Sequence, residues 1–354
     1  MTSPCVRVAQ AQPGEHLTKT GVQAYDGHTA THFSPAPMSQ PLHVTVVGAG
    51  LMGHSIAQVF AVAGHPVNLC DVQPQTLAGC TARIRHNLQQ LGLDADPVLA
   101  RITLSPDLAS AVAGANLVIE AAPESLALKQ QLFLDIAEAA PASAWLASNT
   151  SVIPITDIGA RLASSARARL VGTHWWNPPH LIPLVEVVSS AHTDLQVFEG
   201  LFSLLKQVGK TPVKVRRDLP GFIGNRLQFA LWREAISLVA DGVCDAETLD
   251  TVVKQSFGRR LGVLGPLENA DLIGLALARD IQRLLLPHLN DSHAPSPLLD
   301  TLLSQGHAGM ATLQGLRGWT HDTAHEAQER LARHLIALAH AERDATDPTT
   351  QSPP

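Results

Sequence analysis

The stretch that most constrains the fold is residues 42–71, which read LHVTVVGAGLMGHSIAQVFAVAGHPVNLCD. A short β-branched run leads into a glycine-rich turn, a segment with helical periodicity follows, and a second apolar run ends in Asp71. This order predicts a strand, a tight turn, a helix and a second strand, and two strands joined through a helix lie parallel in one sheet. The folded part of the chain is therefore predicted to begin with a β-α-β unit, which is typical of α/β proteins.

The turn itself, residues 48–53, matches the pattern G-x-G-x-x-G. Gly48 is expected to permit the turn, Gly50 to let a pyrophosphate approach the backbone, and Gly53 to let the helix pack closely on the sheet. Alone, the pattern could be an ordinary glycine-rich turn, but here it follows a strand and opens a helix, whose N-terminus favours an anion. The residues expected to bind a dinucleotide are Gly48, Gly50, Leu51, Met52 and Gly53.

An acid at the end of the second strand indicates which dinucleotide is bound. Asp71 lies 18 residues after Gly53, where a carboxylate accepts hydrogen bonds from the adenosine ribose hydroxyls. Its charge would repel a 2′-phosphate, and no arginine stands next to it in the sequence. The sequence therefore predicts NAD rather than NADP.

The rest of the chain divides into a strand-rich and a helix-rich part. Apolar runs predict strands at residues 101–104, 117–120, 145–148, 170–173, 184–188 and 211–215, and helical patterns lie at 74–91, 129–139 and 194–208. This alternation predicts a Rossmann-type, doubly wound, mostly parallel sheet, followed by a smaller all-α domain. The expected divisions are a flexible extension at 1–40, an NAD-binding domain at 41–217, a helical domain at 218–335, and a helix end with a disordered tail at 336–354.

Composition excludes several other classes of protein. A net charge of −6 without a basic cluster argues against a nucleic-acid partner. Four scattered cysteines without a CxxC pair favour reduced thiols over a disulfide framework or a zinc site, and three loosely spaced histidines near the N-terminus, His16, His28 and His32, do not predict a metal. Without a signal-peptide core or an apolar run of bilayer length, we expect a cytoplasmic protein without a membrane partner.

Residues 172–188, GTHWWNPPHLIPLVEVV, carry the first candidates for chemistry. His174 ends a predicted strand at the carboxyl edge of the sheet, where doubly wound folds bind ligands, and a neutral imidazole suits removal of a hydroxyl proton. Glu186 lies 12 residues later among apolar residues, where a carboxylate needs a partner. Pairing with His174 would orient the base, although a purely structural His–Glu bond is the alternative. Of Trp175 and Trp176, at most one should face the cleft, since neighbours on a strand point to opposite sides.

Five segments in order and at similar spacing resemble the L-3-hydroxyacyl-CoA dehydrogenase family over about residues 42–320. They are VIEAAPESLALKQQLF, LASNTSVIPITDI, GTHWWNPPHLIPLVEVV, VGKTPVKVRRDLPGFIGNR and LGPLENADLIGL. The resemblance implies that His174 is the general base and Glu186 its partner. It also implies that Ser151 hydrogen-bonds the substrate oxygen and that Asn225 closes the substrate pocket from the helical domain, which would form the homodimer interface.

On the cofactor side, the resemblance implies that Glu124 and Lys129 contact the ribose and nicotinamide end of NAD. Asn177 resembles the residue near the nicotinamide carboxamide. On an exposed helix, Glu124 and Lys129 could instead form only a surface pair, worth a few tenths of a kcal/mol.

The chain departs from the family pattern at places that bear on the substrate. The helix after the second strand, where CoA-using members carry lysines, offers only Arg83 and Arg85. Three interpretations follow. A 3-hydroxyacyl-CoA dehydrogenase is favoured because most members use that substrate; a dehydrogenase of a non-CoA 3-hydroxy acid, as in carnitine or gulonate dehydrogenases, is favoured by the missing lysines; and a non-catalytic NAD-binding protein is opposed by the complete set of candidate catalytic residues.

Overall fold

The computed structural model describes residues 40–346, with side chains up to residue 342. His16, His28, His32 and the two predicted terminal segments lie outside these residues, apart from Gln40 and the end of the last helix.

Within residues 40–346, eight strands form one sheet in the order β3-β2-β1-β4-β5-β6-β7-β8. The strands are β1 (Val44–Val47), β2 (Val67–Cys70), β3 (Ile102–Ser105), β4 (Leu117–Glu120), β5 (Trp145–Ser148), β6 (Leu170–Trp175), β7 (Leu184–Val188) and β8 (Thr211–Val215). All neighbouring pairs are parallel except β6 and β7, which run antiparallel. The predicted doubly wound, mostly parallel sheet is confirmed.

In the described part of the chain, sixteen α-helices cover the sheet and then form its second half. The first nine are α1 (Gly53–Val62), α2 (Pro74–Ala78), α3 (Cys80–Gln90), α4 (Asp96–Leu99), α5 (Leu108–Val112), α6 (Leu126–Ala139), α7 (Ile155–Ile158), α8 (Ser164–Ala168) and α9 (Leu195–Gln207). The remaining seven are α10 (Gly224–Ala240), α11 (Ala246–Gln255), α12 (Gly258–Leu261), α13 (Pro266–Ile273), α14 (Leu275–Leu285), α15 (Pro297–Ser304) and α16 (His321–Thr346). Among the described residues, no helix has the length and apolarity needed to cross a bilayer.

Two apolar clusters bury the two faces of the sheet. Alternation along β6 sends Val171 and Trp175 into the cluster beside α1 and Leu170 into the cluster on the opposite face. His174 therefore projects on the same side as Leu170, and its ring lies 5.8 Å from that of Phe222. Strand alternation alone thus separates the polar side chain from the larger core.

The structure corrects the single helix predicted over residues 74–91. Two helices, α2 and α3, meet at Gly79. Because glycine has no side chain, the guanidinium of Arg83 can lie close to the backbone there. The apolar periodicity is continuous across this junction, which is why the sequence pattern does not show the break.

The helical half differs from the sheet in having almost no core of its own. Across α11 to α15 no residue is buried. Several large apolar side chains are instead solvent-exposed, among them Val263 (82%), Leu267 (80%), Leu284 (76%) and Leu272 (70%). Within the described chain, these helices therefore leave their apolar faces without a covering layer.

Candidate active site

The site lies at the carboxyl edge of the sheet. The switch point of this sheet lies between β1 and β4, because β2 and β3 follow on one side of β1 and the later strands follow on the other. Ligands of doubly wound folds bind at this switch point, between the strands that flank the reversal. The turn after β1, residues 48–53, opens onto it, and the end of β6 brings His174 to the same edge.

The glycines of the turn have the surroundings that their predicted roles require. Gly48 has a φ of 100°, and a Cβ on it would lie 2.6 Å from the carbonyl oxygen of Ala121. A Cβ on Gly53 would lie 1.7 Å from the carbonyl oxygen of Gly48, so the helix can approach the turn only with glycine there. Around Gly50 nothing lies within 4 Å of such a Cβ, which leaves room for a ligand against the backbone. This cradle fits a dinucleotide.

Asp71 is held at the end of β2 by backbone groups. Its Oδ2 accepts from the N–H of Ala49 at 2.8 Å, and its Oδ1 accepts from the N–H of Gln73 at 2.9 Å. Each oxygen keeps a lone pair for a ribose hydroxyl. No arginine adjoins Asp71 in sequence, but the fold brings Arg83 from α3 to the turn, where Nη2 donates to the carbonyls of Ala49 (3.0 Å) and Thr76 (3.1 Å).

His174 and Glu186 face each other across the antiparallel strands β6 and β7, as paired residues in the register. His174 Nδ1 and Glu186 Oε2 are 2.6 Å apart, and both side chains are buried. The other carboxylate oxygen, Oε1, accepts from the N–H groups of Ile223 (2.8 Å) and Gly224 (3.0 Å) at the start of α10. Burial would raise the pKa of Glu186, but the bonds from His174 and these two N–H groups outweigh burial and lower it. The carboxylate therefore stays charged beside the imidazole.

The two indoles separate as strand alternation predicts. Trp175 is 2% exposed and packs edge-on against Phe60 at a centroid distance of 6.1 Å. Trp176 lies on the other side, 5.2 Å from the His174 ring, and its six-membered ring covers the backbone of Gly224. A Cβ on Gly224 would come within 2.3 Å of that ring. Trp176 therefore forms a wall beside the imidazole, and the absence of a side chain at Gly224 leaves the space for its ring.

A cavity of about 340 Å³ lies beside His174. Its polar lining includes Ser151, Asn225 and Asn177, and its apolar lining includes Met52, Val152, Trp176 and Phe229. Asn225 Nδ2 donates to the backbone carbonyl of Ser151 at 2.9 Å, which ties α10 to the turn after β5. The Ser151 hydroxyl has no hydrogen-bond partner within the described part of the chain and remains available to a ligand. The structure thus brings together five of the predicted residues, Met52, Ser151, His174, Asn177 and Asn225.

Glu124 and Lys129 are placed differently from the exposed surface pair that the sequence allowed. The Lys129 ammonium is completely buried and contacts Glu120 Oε1 (2.6 Å), the carbonyl of Ala122 (3.2 Å) and Glu124 Oε2 (3.3 Å). Protein atoms therefore enclose the ammonium, and the cofactor contact expected of Lys129 stays a prediction.

Glu124 also stabilises the turn that carries Ser151. Its Oε1 accepts from Thr150 Oγ1 (2.6 Å) and from the N–H groups of Ser151 (2.9 Å) and Val152 (3.0 Å). Burial would raise the pKa of Glu124, but these hydrogen bonds and the charge of Lys129 outweigh it and lower the pKa. The carboxylate is thereby kept ionised at the edge of the cleft.

Two buried polar residues that are not predicted from the sequence, Glu120 and Asn149, also shape the site. Glu120 ends β4 and binds Lys129 and Ser148, and Asn149 accepts the backbone N–H of Trp175 through Oδ1 at 3.0 Å. An acid among the apolar residues of a predicted strand is the pattern that singles out Glu186, and Glu120, the last residue of β4, shows the same pattern. Among the described residues, no group of three metal-ligating side chains converges.

The fold, the glycine cradle with Asp71, and the His174–Glu186 pair define an NAD-dependent dehydrogenase. Residues 43–219 match the family domain described as 3-hydroxyacyl-CoA dehydrogenase, NAD binding domain, and residues 221–319 match 3-hydroxyacyl-CoA dehydrogenase, C-terminal domain. The chain belongs to the 3-hydroxyacyl-CoA dehydrogenase family, whose relatives act on CH–OH groups of their donors.

Relatives within this family act on different substrates. A 5-formyl-3-hydroxy-2-methylpyridine 4-carboxylate 5-dehydrogenase of Mesorhizobium japonicum is 33% identical over 302 residues, which cover 84% of this chain and 96% of the relative. L-carnitine dehydrogenase of Streptomyces griseus is 38% identical over 251 residues, with 69% and 74% covered. The human mitochondrial hydroxyacyl-coenzyme A dehydrogenase is 36% identical over 287 residues, with 77% and 90% covered.

Solved structures agree with this assignment. The crystal structure of the pyridine carboxylate dehydrogenase, described as an NAD+-dependent dismutase, superposes with a TM-score of 0.78 at 31% identity and covers 84% of this chain and 97% of its own. A (S)-3-hydroxybutyryl-CoA dehydrogenase from Ralstonia eutropha superposes with a TM-score of 0.65 at 28% identity, with 79% and 100% covered. The chain therefore shares its fold with members that use CoA esters and with one that does not.

Replacing Lys129 with methionine tests the buried ion pair. Removing one partner leaves the Glu120 carboxylate buried without its cation, which costs about 3–5 kcal/mol of the free energy of unfolding. Lys214→Met is the matched control, because Lys214 pairs with Glu199 at 2.6 Å in an exposed setting where an ion pair contributes about 0–1 kcal/mol. Urea denaturation followed by circular dichroism measures both, and equal losses in the two variants would contradict the buried assignment.

Proposed function

We propose that the chain catalyses the reversible NAD-dependent oxidation of a hydroxyl group to a carbonyl, with His174 as the general base. The proposal is supported above all by one observation, the buried 2.6 Å contact between His174 Nδ1 and Glu186 in a cavity open to Ser151. With Nδ1–H donated to the carboxylate, the opposite nitrogen Nε2 carries a free lone pair for the substrate proton. The adjacent Glu186 charge stabilises the imidazolium that results.

Other residues of the cavity position the substrate and the cofactor. Ser151 donates its hydroxyl to the reacting oxygen, and Asn225 closes the cavity from α10. Residues 48–53, Asp71, Glu124 and Asn177 hold NAD, which when bound accepts the hydride that leaves the substrate carbon. The Lys129 ammonium is enclosed and contacts Glu124, so we assign Lys129 the role of positioning the Glu124 carboxylate for the cofactor.

We propose further that the substrate does not carry CoA. Family membership alone favours CoA esters, but the only two cations of α3 are already engaged within the chain. Arg83 donates to the carbonyls of Ala49 and Thr76, and Arg85 pairs with Asp96 at 2.8 Å. CoA phosphates need basic partners or helix N-termini, and α3 has no other Lys or Arg to offer.

The cavity beside His174 favours a compact substrate. Its volume is about 340 Å³, and apart from His174 its lining contains no ionisable side chain. Trp176 and Phe229 supply flat apolar surfaces, and Asn149, Asn177, Asn225 and Gln228 supply uncharged hydrogen-bonding groups. A small hydroxy acid, or a ring that carries the reacting carbon, suits these walls better than an extended acyl chain. The pyridine and carnitine dehydrogenases among the relatives support this choice.

A homodimer through the helical domain is the third part of the proposal. Helices α11 to α15 bury no residue, yet they carry Leu267 and Leu284 at 80% and 76% exposure. A domain of this size without a core gains too little apolar burial to offset its conformational entropy. A second copy of the same domain supplies the missing apolar layer with matching chemistry.

Two substitutions test the catalytic pair. His174→Ala removes the base and should lower kcat by about 10²- to 10⁴-fold, while the Kd of NADH from its fluorescence changes little. Glu186→Gln can still accept from α10 through Oε1 but presents an amide to His174 Nδ1, so kcat should also fall. His192→Ala, at an exposed histidine, is the control. Undiminished turnover in His174→Ala would refute the mechanism.

A substrate panel tests the exclusion of CoA. NADH formation is followed with 3-hydroxybutyryl-CoA, carnitine and gulonate, and NADH formation or consumption is followed with 5-formyl-3-hydroxy-2-methylpyridine 4-carboxylate. We expect kcat/KM for a non-CoA compound to exceed that for the CoA ester at least tenfold. A preference for the CoA ester would restore that substrate class, and absence of turnover on every compound would favour a non-catalytic NAD-binding protein.

Charge placed on the exposed helical faces tests the dimer. Leu267→Glu and Leu284→Glu should convert a dimer into a monomer in sedimentation velocity, because a buried carboxylate without a partner is costly. Leu195→Glu, at a leucine 70% exposed on α9, should leave the dimer intact. A wild-type chain that sediments as a monomer would contradict the proposal.

A further inference from the structure

Arg83 and His54, two side chains outside the sequence motif, bind carbonyls of the dinucleotide turn from the protein side, where the Cys80 thiol also lies 3.4 Å from the carbonyl oxygen of Ala49. Arg83 Nη2 donates to the carbonyl of Ala49 at 3.0 Å, and His54 Nδ1 bonds the carbonyl of Gly50 at 2.6 Å. Arg83 comes from α3 and His54 from the first turn of α1. The two consecutive carbonyls of the turn are therefore each held by a basic side chain.

Holding these carbonyls fixes the direction of two N–H groups. In a trans peptide the C=O and the following N–H point in opposite directions, and the bonds from Ala49 to Gly50 and from Gly50 to Leu51 are trans. With both carbonyls turned toward Arg83 and His54, the N–H groups of Gly50 and Leu51 are turned away from them. Within residues 40–346 neither N–H group has an acceptor, and the space next to Gly50 is open.

A chain of hydrogen bonds determines which nitrogen of His54 carries the proton. His54 Nε2 lies 3.3 Å from Ser55 Oγ, and Ser55 Oγ lies 3.2 Å from His180 Nδ1. Because a carbonyl can only accept, His54 donates through Nδ1, and in its neutral form it accepts through Nε2. The consistent assignment is that His180 Nδ1–H donates to Ser55 and the Ser55 hydroxyl donates to His54.

Burial favours the neutral forms that this chain requires. Burial lowers the pKa of His54, and it lowers the pKa of His180 to about 4. His54 therefore remains a neutral Nδ1–H donor at neutral pH, and its effect on the turn is directional and not one of charge.

We propose that Arg83 and His54 are positioning residues of the cofactor site, which orient the N–H groups of Gly50 and Leu51 toward the pyrophosphate of NAD. A donor fixed in advance loses no orientational freedom when the anion binds. The proposed function assigns the adenosine ribose to Asp71, whose carboxylate accepts from the N–H of Ala49 and bonds neither Arg83 nor His54, so these two residues are expected to act on the pyrophosphate.

Ligands that differ only in the pyrophosphate provide the test. Binding of ADP and of adenosine to the full-length protein is measured by displacement of NADH fluorescence. In Arg83→Met and in His54→Leu the Kd of ADP should rise about tenfold, equivalent to about 1.4 kcal/mol, while the Kd of adenosine stays within twofold of the wild type. His54→Leu removes a neutral group, so a loss of ADP binding there cannot come from a change in charge.

Arg85→Leu is the matched control for Arg83, because it removes a cation from the same helix without touching the turn; it should leave both Kd values unchanged. An unchanged Kd of ADP in Arg83→Met would overturn the proposal, as would equal weakening of ADP and adenosine, or an Arg85→Leu loss equal to that of Arg83→Met. If His54→Leu does not fold, Arg83→Met alone decides, since Arg83 is exposed and its replacement empties no core.

Discussion

One buried carboxylate joins the two halves of the molecule. Glu186 is 1% exposed, so its charge is tolerable only because three donors reach it: His174 from β6, and the N–H groups of Ile223 and Gly224 from α10. The last two belong to a helix N-terminus, where the peptide dipoles favour a negative charge. Glu186 therefore connects the imidazole of the sheet to the N-terminus of α10, the first helix of the second half. Asn225 is the next residue of that helix. The position of the base and the closure of the cavity are set by the same bond network.

The sequence predicts most of the sheet because its strands read as short apolar runs, and those between the partly exposed edge strands β3 and β8 are buried on both faces. The runs at residues 117–120, 145–148, 184–188 and 211–215 coincide with β4, β5, β7 and β8. The junction of α2 and α3 is not predicted, because apolar spacing continues through Gly79. The pairing of His174 with Glu186 could be inferred from two polar residues in apolar strands, and the structure places them in contact.

Other parts of the site depend on tertiary placement that local patterns do not encode. Lys129 looks like an exposed helical residue in the sequence, and only the position of β4 shows that its long side chain reaches Glu120. Arg83 lies 12 residues from Asp71 in the chain, and the turn between α2 and α3 returns it to Ala49. The catalytic and cofactor roles of the predicted residues stay predictions.

The antiparallel step from β6 to β7 has a consequence for how such an enzyme diversifies. Side chains alternate along a strand, so Glu186 faces His174 only in the present register, and a shift of β7 by one residue would turn the acid to the opposite face. The connecting segment, residues 176–183, lies outside this register and is held by local contacts, such as Trp176 on Gly224 and His180 to Ser55. Side chains of this segment that line the cavity can therefore change while the two strands hold His174 and Glu186 in place. Substrate specificity can then evolve without loss of the base and its acid.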